Sequence, residues 1–325
     1  MPWAPSIANQ ENIKAVLFLT FGAAACSFFI HESRYQETEY PVSPLFFPEN
    51  ERKKITQFMY DSANGLTNEE RLLQCFERSS SIVLIKTSKE IESKYLEYFS
   101  VQVGKEVVPV GPIVQEFEDK EDDDKVFIEW LDKKENSSVV FVSFGSEYFL
   151  SKDEIEEIAY GLELSGVDFI WVLRFHGGEK AKVHEVLPKG FLGRVGDRGM
   201  VVEGWAPQGK ILKHGSIGGF VSHCGWSSTL EGVEFGVPIV AMPMHLDQPL
   251  NAKVVVGIGV GVEVKRENGR FKREEVGRVI KQVVVEDEGK QVRERVKEVR
   301  ERMRVEGDEE MDLVVEKLVK LIGES

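Results

Sequence analysis

The second half of the chain alternates short apolar segments with segments that have helical features, and this alternation restricts the fold more than any other property of the sequence. The apolar segments of strand length after residue 126 are Ser138–Phe144, Phe169–Leu173, Gly219–Ser222, Ile239–Met242 and Gly261–Val264. Ser151 and Glu154 form a capping box at the start of one intervening helix, which Gly166 ends. Short apolar strands separated by helices indicate a parallel, doubly wound α/β sheet.

The length of the chain and one charged run predict two domains. A chain of 325 residues with 42% hydrophobic content can bury the cores of two domains. Residues 115–125 are acidic and have no apolar periodicity, so we interpret them as the linker between domains at residues 1–114 and 126–325. An amphipathic helix over residues 308–322 is expected at the end of the chain.

The overall charge and the cysteines exclude several classes of protein. A net charge of −14 argues against a surface that binds nucleic-acid phosphates, which requires clustered Lys and Arg. Three cysteines without C-x-x-C spacing are typical of a reduced, cytoplasmic protein and favour neither a disulfide framework nor a zinc site.

The apolar segment Ile13–Ile30 has the composition of a signal peptide or a short membrane span. No basic region precedes it, because Glu11 and Lys14 cancel, and Gly22 divides it. We therefore expect a buried strand followed by a helix, with no membrane association.

The run from Trp205 to Gln248 concentrates groups that suit a nucleotide sugar. The indole of Trp205 offers a surface for a base, and stacking of a base on an aromatic ring contributes roughly 1–3 kcal/mol. His223 to Ser228 end an apolar strand and open a helix, whose unpaired N–H groups suit a diphosphate. Gly225 allows the backbone to approach that anion closely.

Further acceptors follow in the same run. Glu231 is placed to accept both hydroxyls of a ribose, and Asp247 with Gln248 can bind the hydroxyls of a sugar. Ser143 and Ser146 stand at the carboxyl end of another strand, where ligands of such sheets bind, so they are candidate phosphate donors. Simple packing at the strand end is an equal alternative for these two serines.

Several residues of this run also have an interpretation that involves no ligand. Ser228 and Glu231 match a capping box, which forms without any ligand. Asp247 before Pro249 matches a helix cap, and a single tryptophan after a strand is usually a core residue. We favour the binding interpretation because the residues occur together.

The complete run resembles the plant secondary-product glycosyltransferase box of the family 1 UDP-glycosyltransferases. The shared patterns are W-x-x-Q, L-x-H, F-x-x-H-C-G-W, S-x-x-E and D-Q. The resemblance implies that uracil is held by Trp205 and the backbone of Ala206, ribose by Gln208 and Glu231, and the diphosphate by His223, the Trp226 backbone, Ser227 and Ser228. The sugar contacts would then come from Trp226, Asp247 and Gln248. Ser227 departs from the family, which usually has Asn at this position.

The family resemblance also implies a fold and a reaction. The fold is of the GT-B type, with two Rossmann-like domains facing a cleft, and the last helix packs back on the first domain. The HCGWSS sequence is similar to the branch that extends a sugar already attached to a flavonoid or terpenoid. The expected reaction is inverting transfer from UDP-glucose to a small-molecule glycoside. The resemblance implies no metal or other cofactor.

The beginning of the chain resembles the interior of the family's N-terminal, acceptor-side domain. The family's catalytic His and the Asp that orients it have no counterpart that we identify among residues 1–114, so we expect this domain to be incomplete. The expected partner is then an N-terminal segment or chain that carries the base. The alternative is a UDP-sugar-binding protein without catalysis.

Two other classes of protein, metal-dependent glycosyltransferases and nicotinamide-dependent oxidoreductases, are less favoured. Asp122-Asp123-Asp124 contains the D-x-D that binds Mn²⁺ or Mg²⁺ in metal-dependent glycosyltransferases, but it lies in a polar run and not at a strand end. A nicotinamide-dependent oxidoreductase would carry G-x-G-x-x-G after a strand, and the glycines at 257, 259 and 261 have another spacing.

Overall fold

The structure is a computed structural model that describes residues 2–35, 38–114, 124–175 and 183–323. Most of the predicted linker, with Asp122 and Asp123 of the D-x-D, lies outside the described residues, and so does His176. The described helices are, in chain order, α1 Ala4–Gln10, α2 Ala23–Arg34, α3 Glu49–Thr56, α4 Asn68–Arg78, α5 Lys89–Val103, α6 Lys125–Leu131, α7 Lys152–Ser165, α8 Val183–Val186, α9 Phe191–Val195, α10 Gln208–Lys213, α11 Trp226–Glu234, α12 Gln248–Gly257, α13 Arg273–Val284 and α14 Lys290–Gly323. The strands are β1 Leu17–Leu19, β2 Ser62–Ala63, β3 Leu66–Thr67, β4 Ile82–Ile85, β5 Glu106–Pro109, β6 Val139–Ser143, β7 Asp168–Leu173, β8 Gly199–Glu203, β9 Ile217–Ser222, β10 Ile239–Ala241 and β11 Gly261–Glu263.

The chain divides into two compact units that are discontinuous in sequence. Unit 1 comprises Met1–Ile113, His245–Val254 and Glu301–Ser325, whereas unit 2 comprises Val114–Met244 and Val255–Arg300. The domain bounds expected from the sequence, at residues 1–114 and 126–325, stay a prediction.

Unit 1 contains a three-stranded parallel sheet in the order β1-β4-β5. The segment Ile13–Ile30 folds as the strand β1 followed by the helix α2, whose residues from Ala23 to His31 are buried. Among the described residues, no helix has both the length and the apolar character needed to cross a membrane.

The C-terminal part of α14 also belongs to unit 1. Val314 of this helix packs on Val108 of β5 and on Val110, which follows that strand. The Glu310 carboxylate accepts a hydrogen bond of 2.7 Å from the backbone N–H of Lys89. That N–H is one of the donors at the start of α5, which the helix itself cannot satisfy.

Unit 2 is built on six parallel strands in the order β11-β10-β9-β6-β7-β8. Strand β6 is buried along its whole length. One face of the sheet packs its apolar side chains against α7 and α13, and the other packs against α6 and α10. A parallel strand that is covered on both faces has a continuous apolar sequence, which explains the short apolar segments in this half of the chain. The predicted α/β class with parallel sheets is confirmed.

Helix α7 begins and ends as the sequence predicts. The Ser151 hydroxyl accepts a hydrogen bond from the Glu154 N–H, and the Glu154 carboxylate accepts one of 2.8 Å from the Ser151 N–H. Gly166, with a φ of 69°, ends the helix in the left-handed conformation. This helix packs on α13 behind the strands that position the candidate site.

We expect Ser151→Ala to lower the free energy of unfolding by about 1 kcal/mol, because the mutation leaves the Glu154 N–H without its side-chain acceptor. Urea denaturation followed by circular dichroism measures the change. Ser93→Ala, at an exposed position of α5, is the control and should leave the midpoint almost unchanged. Equal midpoints for both variants would show that the capping box does not stabilise α7.

Candidate functional site

The loop between β9 and α11 presents a helix N-terminus at the carboxyl end of the sheet of unit 2. Helix α11 starts at Trp226 with Gly225 at its N-cap, and no side chain caps it. A helix N-terminus of this kind directs N–H groups and a partial positive charge toward solvent, which suits a phosphate. The phosphate role of this loop stays a prediction.

The turn that leads to this helix has an unusual backbone conformation. Cys224 has a φ of 64°, in the left-handed region that residues other than glycine seldom adopt. Its N–H donates a hydrogen bond of 3.1 Å to the Ser222 hydroxyl, and Cys224 itself is fully buried. Such conformations are held by the surrounding structure and are concentrated at functional sites.

The imidazole of His223 lies between two glycines. A Cβ atom added at Gly145 would be 2.7 Å from Nε2 of His223, and one added at Gly225 would be 2.6 Å from the same atom. Both distances are far below van der Waals contact, so only glycine leaves room for the ring at these positions. Gly145 follows β6, which pairs directly with β9.

No sequence pattern assigned a role to Gly145, which lies between the predicted strand-end residues Ser143 and Ser146. Its role as a neighbour of His223 depends on the adjacency of β6 and β9, which no local pattern encodes. A glycine two residues after a buried apolar strand is the one sequence signal that could have indicated it.

Three of the predicted nucleotide-binding residues form one hydrogen-bonded group. The side-chain amide of Gln208, the first residue of α10, donates to Glu231 Oε2 at 2.7 Å and to the Ser228 hydroxyl at 3.1 Å. Ser228 and Glu231 are three residues apart on α11, so they share a face of that helix. The capping-box alternative for this pair is wrong, because Gly225 is the N-cap and Ser228 is the third residue of the helix.

Trp205 lies in the connection from β8 to α10, with its side chain directed to solvent. The residue is 65% exposed, whereas its neighbour Ala206 is buried. The alternative interpretation of Trp205 as a core residue is therefore wrong. An exposed indole three residues before Gln208 is available to stack on a base.

The other serines that the sequence predicts to bind the donor differ in exposure. Ser143 is buried at the end of β6 and pairs in register with Ser222, as the packing alternative predicts. Ser146 and Ser227 are exposed, so both hydroxyls can be reached by a ligand. Ser227 is the second residue of α11.

Asp247 and Gln248 belong to unit 1, where both side chains are buried. The Asp247 carboxylate accepts a hydrogen bond of 2.8 Å from the Asn251 amide, and Gln248 Oε1 accepts one of 3.0 Å from the His245 N–H. These bonds fix the orientation of both side chains. Asp247 immediately precedes α12, as the alternative helix-cap interpretation requires, so the structure leaves that interpretation open.

The described acidic residues do not form a metal centre. Asp124, the one residue of the D-x-D that the structure describes, makes an ion pair with Lys210 at 2.7 Å. Within residues 2–35, 38–114, 124–175 and 183–323, no group of three or more acidic, His or Cys side chains could hold a metal ion.

Unit 2 is an α/β unit whose parallel sheet has a helix N-terminus, an exposed indole and a Gln–Glu–Ser group at its carboxyl end, and the nucleotide-binding role of these groups stays a prediction. The model of one family, described as UDP-glucoronosyl and UDP-glucosyl transferase, matches residues 73–300. The chain belongs to this family and is a glycosyltransferase.

Relatives of known activity cover the whole chain. It is 52% identical over 328 residues to the flavanone 7-O-glucoside 2''-O-beta-L-rhamnosyltransferase of Citrus maxima, with 100% of this chain and 72% of the relative aligned. It is 50% identical over 324 residues to a mogroside IIIx synthase of Siraitia grosvenorii, with 97% of this chain and 70% of the relative aligned.

The fold is similar to that of plant glycosyltransferases of known structure. The structure of UGT2 from Phytolacca americana, complexed with UDP-2fluoro-glucose and pterostilbene, matches with a TM-score of 0.80 and 30% identity. The match covers 98% of this chain and 74% of that one. The GT-B fold implied by the sequence resemblance is confirmed.

We expect Gly225→Ala to weaken UDP binding at least tenfold, because the new methyl group collides with the His223 ring and displaces it from the start of α11. The φ of Gly225 is −57°, so alanine strains no backbone there and the effect is steric. Isothermal titration calorimetry measures the affinity for UDP.

Gly193→Ala is the matched control for this variant, since a Cβ atom at that helical position meets nothing within 4 Å. It should leave the affinity unchanged. Full UDP affinity in Gly225→Ala would show that the position of His223 does not matter for binding.

Proposed function

We propose that this protein transfers glucose from UDP-glucose, with inversion, to a hydroxyl of a sugar already attached to a flavonoid or terpenoid. The observation that carries the proposal is the Gln208–Glu231–Ser228 group beside the uncapped start of α11. It combines a carboxylate for ribose hydroxyls with N–H groups for a diphosphate. The acceptor class is supported by the relative from Citrus maxima, whose name specifies a flavanone 7-O-glucoside as its acceptor.

The proposed assignment of donor contacts follows the chain. Trp205 stacks on uracil and the Ala206 backbone binds its edge, while Gln208 and Glu231 hold the ribose. The diphosphate is held by His223, Ser227, Ser228 and the N–H groups that begin with Trp226. Asp247 and Gln248 bind hydroxyls of the hexose.

These groups also favour the transition state. As the bond between the anomeric carbon and UDP breaks, negative charge develops on the diphosphate. N–H groups that already point to this position stabilise the charge without reorganisation. The acceptor hydroxyl loses its proton to a base, and we assign that role to none of the described residues.

We propose that the donor is held without a metal ion. The groups assigned to the diphosphate are N–H groups, an imidazole and hydroxyls, whereas Mg²⁺ prefers carboxylate oxygens. Turnover is therefore expected to persist in EDTA.

We also propose a cytoplasmic location. Cys26, Cys75 and Cys224, which all lie among the described residues, are not joined in disulfides. Cysteines without disulfides are typical of a reducing compartment.

The proposed reaction is tested by incubating the purified chain with UDP-glucose and a panel of flavonoid and terpenoid glycosides. We expect a product heavier by one hexose in mass spectrometry, and we expect less product from the matching aglycones. UDP-rhamnose and UDP-glucuronate in parallel reactions test the choice of donor. UDP binding without product from any pair of donor and acceptor would contradict the proposal. The chain would then be a UDP-sugar-binding protein.

We expect Glu231→Ala to weaken the binding of UDP more than that of inorganic pyrophosphate, because only UDP contains the ribose. Competition calorimetry gives both affinities. The control is Glu288→Ala, at an exposed position of unit 2. An equal loss for both ligands would show that Glu231 acts only by supporting α11.

A further inference from the structure

Ser222, the last residue of β9, is held by the strands on both sides of it. It pairs in register with Ser143 of β6 and with Ala241 of β10. Its carbonyl oxygen accepts a hydrogen bond of 2.8 Å from the Met242 N–H, and the residue is fully buried. The backbone of Ser222 is therefore fixed by the sheet, and its side chain is shielded from solvent.

The Ser222 hydroxyl holds the next turn of the chain. It accepts a hydrogen bond of 3.1 Å from the N–H of Cys224, two residues later, as serine hydroxyls do in tight turns. Cys224 has a φ of 64°, a conformation that is unfavourable for a residue with a Cβ atom and persists only where the surroundings hold it. The Cys224 thiol adds a weaker contact, since its Sγ lies 3.7 Å from the Ser222 carbonyl oxygen. Two contacts to one residue thus hold the left-handed turn.

The turn at Cys224 separates the two groups that we assign to the diphosphate. His223 precedes it, with its ring between two glycines, and Gly225 follows as the N-cap of α11. The Gly225 carbonyl accepts the first hydrogen bond of the helix, 2.9 Å from the Thr229 N–H. A change of the backbone angles at Cys224 would consequently rotate the start of α11 relative to the His223 ring.

We propose that Ser222 is a positioning residue for the donor: its hydroxyl keeps Cys224 left-handed and so sets the His223 ring relative to the N–H groups at the start of α11. This inference rests on the proposed function, because it takes both groups as ligands of the diphosphate. Ser222 contacts no substrate in this account, since it is fully buried. Every residue involved belongs to unit 2.

The effect is confined to the diphosphate. The side-chain amide of Gln208 holds Ser228 and Glu231, which lie farther along α11, and these bonds do not involve the turn. Uridine, which lacks the diphosphate, should therefore bind almost as well when the turn is altered. A general loss of folded structure would weaken the binding of uridine and UDP together.

The experiment compares Ser222→Ala with the wild-type full chain by isothermal titration calorimetry. Without the hydroxyl, the buried N–H of Cys224 loses its acceptor, so UDP binding should weaken about tenfold. Uridine binding should change less than twofold. Unchanged UDP binding, or an equal loss for uridine and UDP, would overturn the inference.

Ser165→Ala is the matched control, because Ser165 makes the same kind of bond elsewhere in unit 2. Its buried hydroxyl accepts a hydrogen bond of 3.1 Å from the N–H of Val167, again two residues later. Ser165 is the last residue of α7, which contributes no residue to the proposed donor contacts. Ser165→Ala should lower the urea midpoint about as much as Ser222→Ala and leave the affinity for UDP unchanged. A similar loss of UDP binding in both variants would overturn the inference.

A second substitution tests the conformation of the turn itself. Glycine adopts the left-handed conformation without a steric cost, so adding Cys224→Gly to the Ser222→Ala chain should restore UDP binding to within about threefold of the wild type. A role of Ser222 in stability alone would give no such rescue. A double variant that binds UDP no better than Ser222→Ala would overturn the inference.

Ser222→Cys is the second variant if Ser222→Ala does not fold. It fills the same buried space, and its sulfur is a weaker acceptor than a hydroxyl oxygen. Its affinity for UDP should fall severalfold, and an affinity equal to that of the wild type would overturn the inference.

The wild-type chain separates this inference from the proposed function. A wild-type chain that binds no UDP would refute the proposed function and the inference together. A wild-type chain that binds UDP, with an unchanged affinity in Ser222→Ala, would refute only the role of Ser222.

Discussion

The close packing of the His223 ring between Gly145 and Gly225 is the constraint on which the candidate site depends. It requires that β6 and β9 be neighbours in the sheet, because the two glycines follow or flank the ends of these strands. It also requires the left-handed turn at Cys224, which places α11 immediately after the ring. The end of α11 to which we assign the diphosphate is thus positioned by the sheet as a whole.

The same arrangement explains why the Gln208–Glu231–Ser228 group forms. Helix α11 starts at Trp226, so Ser228 and Glu231 are directed along one face of the helix, where Gln208 of α10 reaches both. A start three residues later, at Thr229, would make Ser228 the helix cap and remove it from this group. The glycine at the N-cap therefore favours a bound ligand over a side-chain cap.

Much of unit 2 could be predicted from the sequence, because its strands are continuous apolar runs and helix α7 carries its own cap and stop signals. A tryptophan after a strand fits the core as well as the surface, so the exposure of Trp205 could be expected only from its place in the complete run from Trp205 to Gln248. The part played by Gly145 was also beyond local patterns, and so were the hydrogen bonds that the Glu92 carboxylate accepts from the N–H groups of Ala23 and Ala24 at the start of α2. Both depend on contacts between residues far apart in the sequence, and Glu92 is 68 positions from Ala24.

The central claim is that UDP binds with its diphosphate at the start of α11 and its base on Trp205. A crystal structure of the chain with UDP tests this claim most directly. We predict diphosphate oxygens within 3.2 Å of the backbone N–H groups at the start of α11, a typical hydrogen-bond distance, with the uracil ring stacked on the indole. UDP bound elsewhere on the protein, or bound with its diphosphate away from His223, would contradict the account.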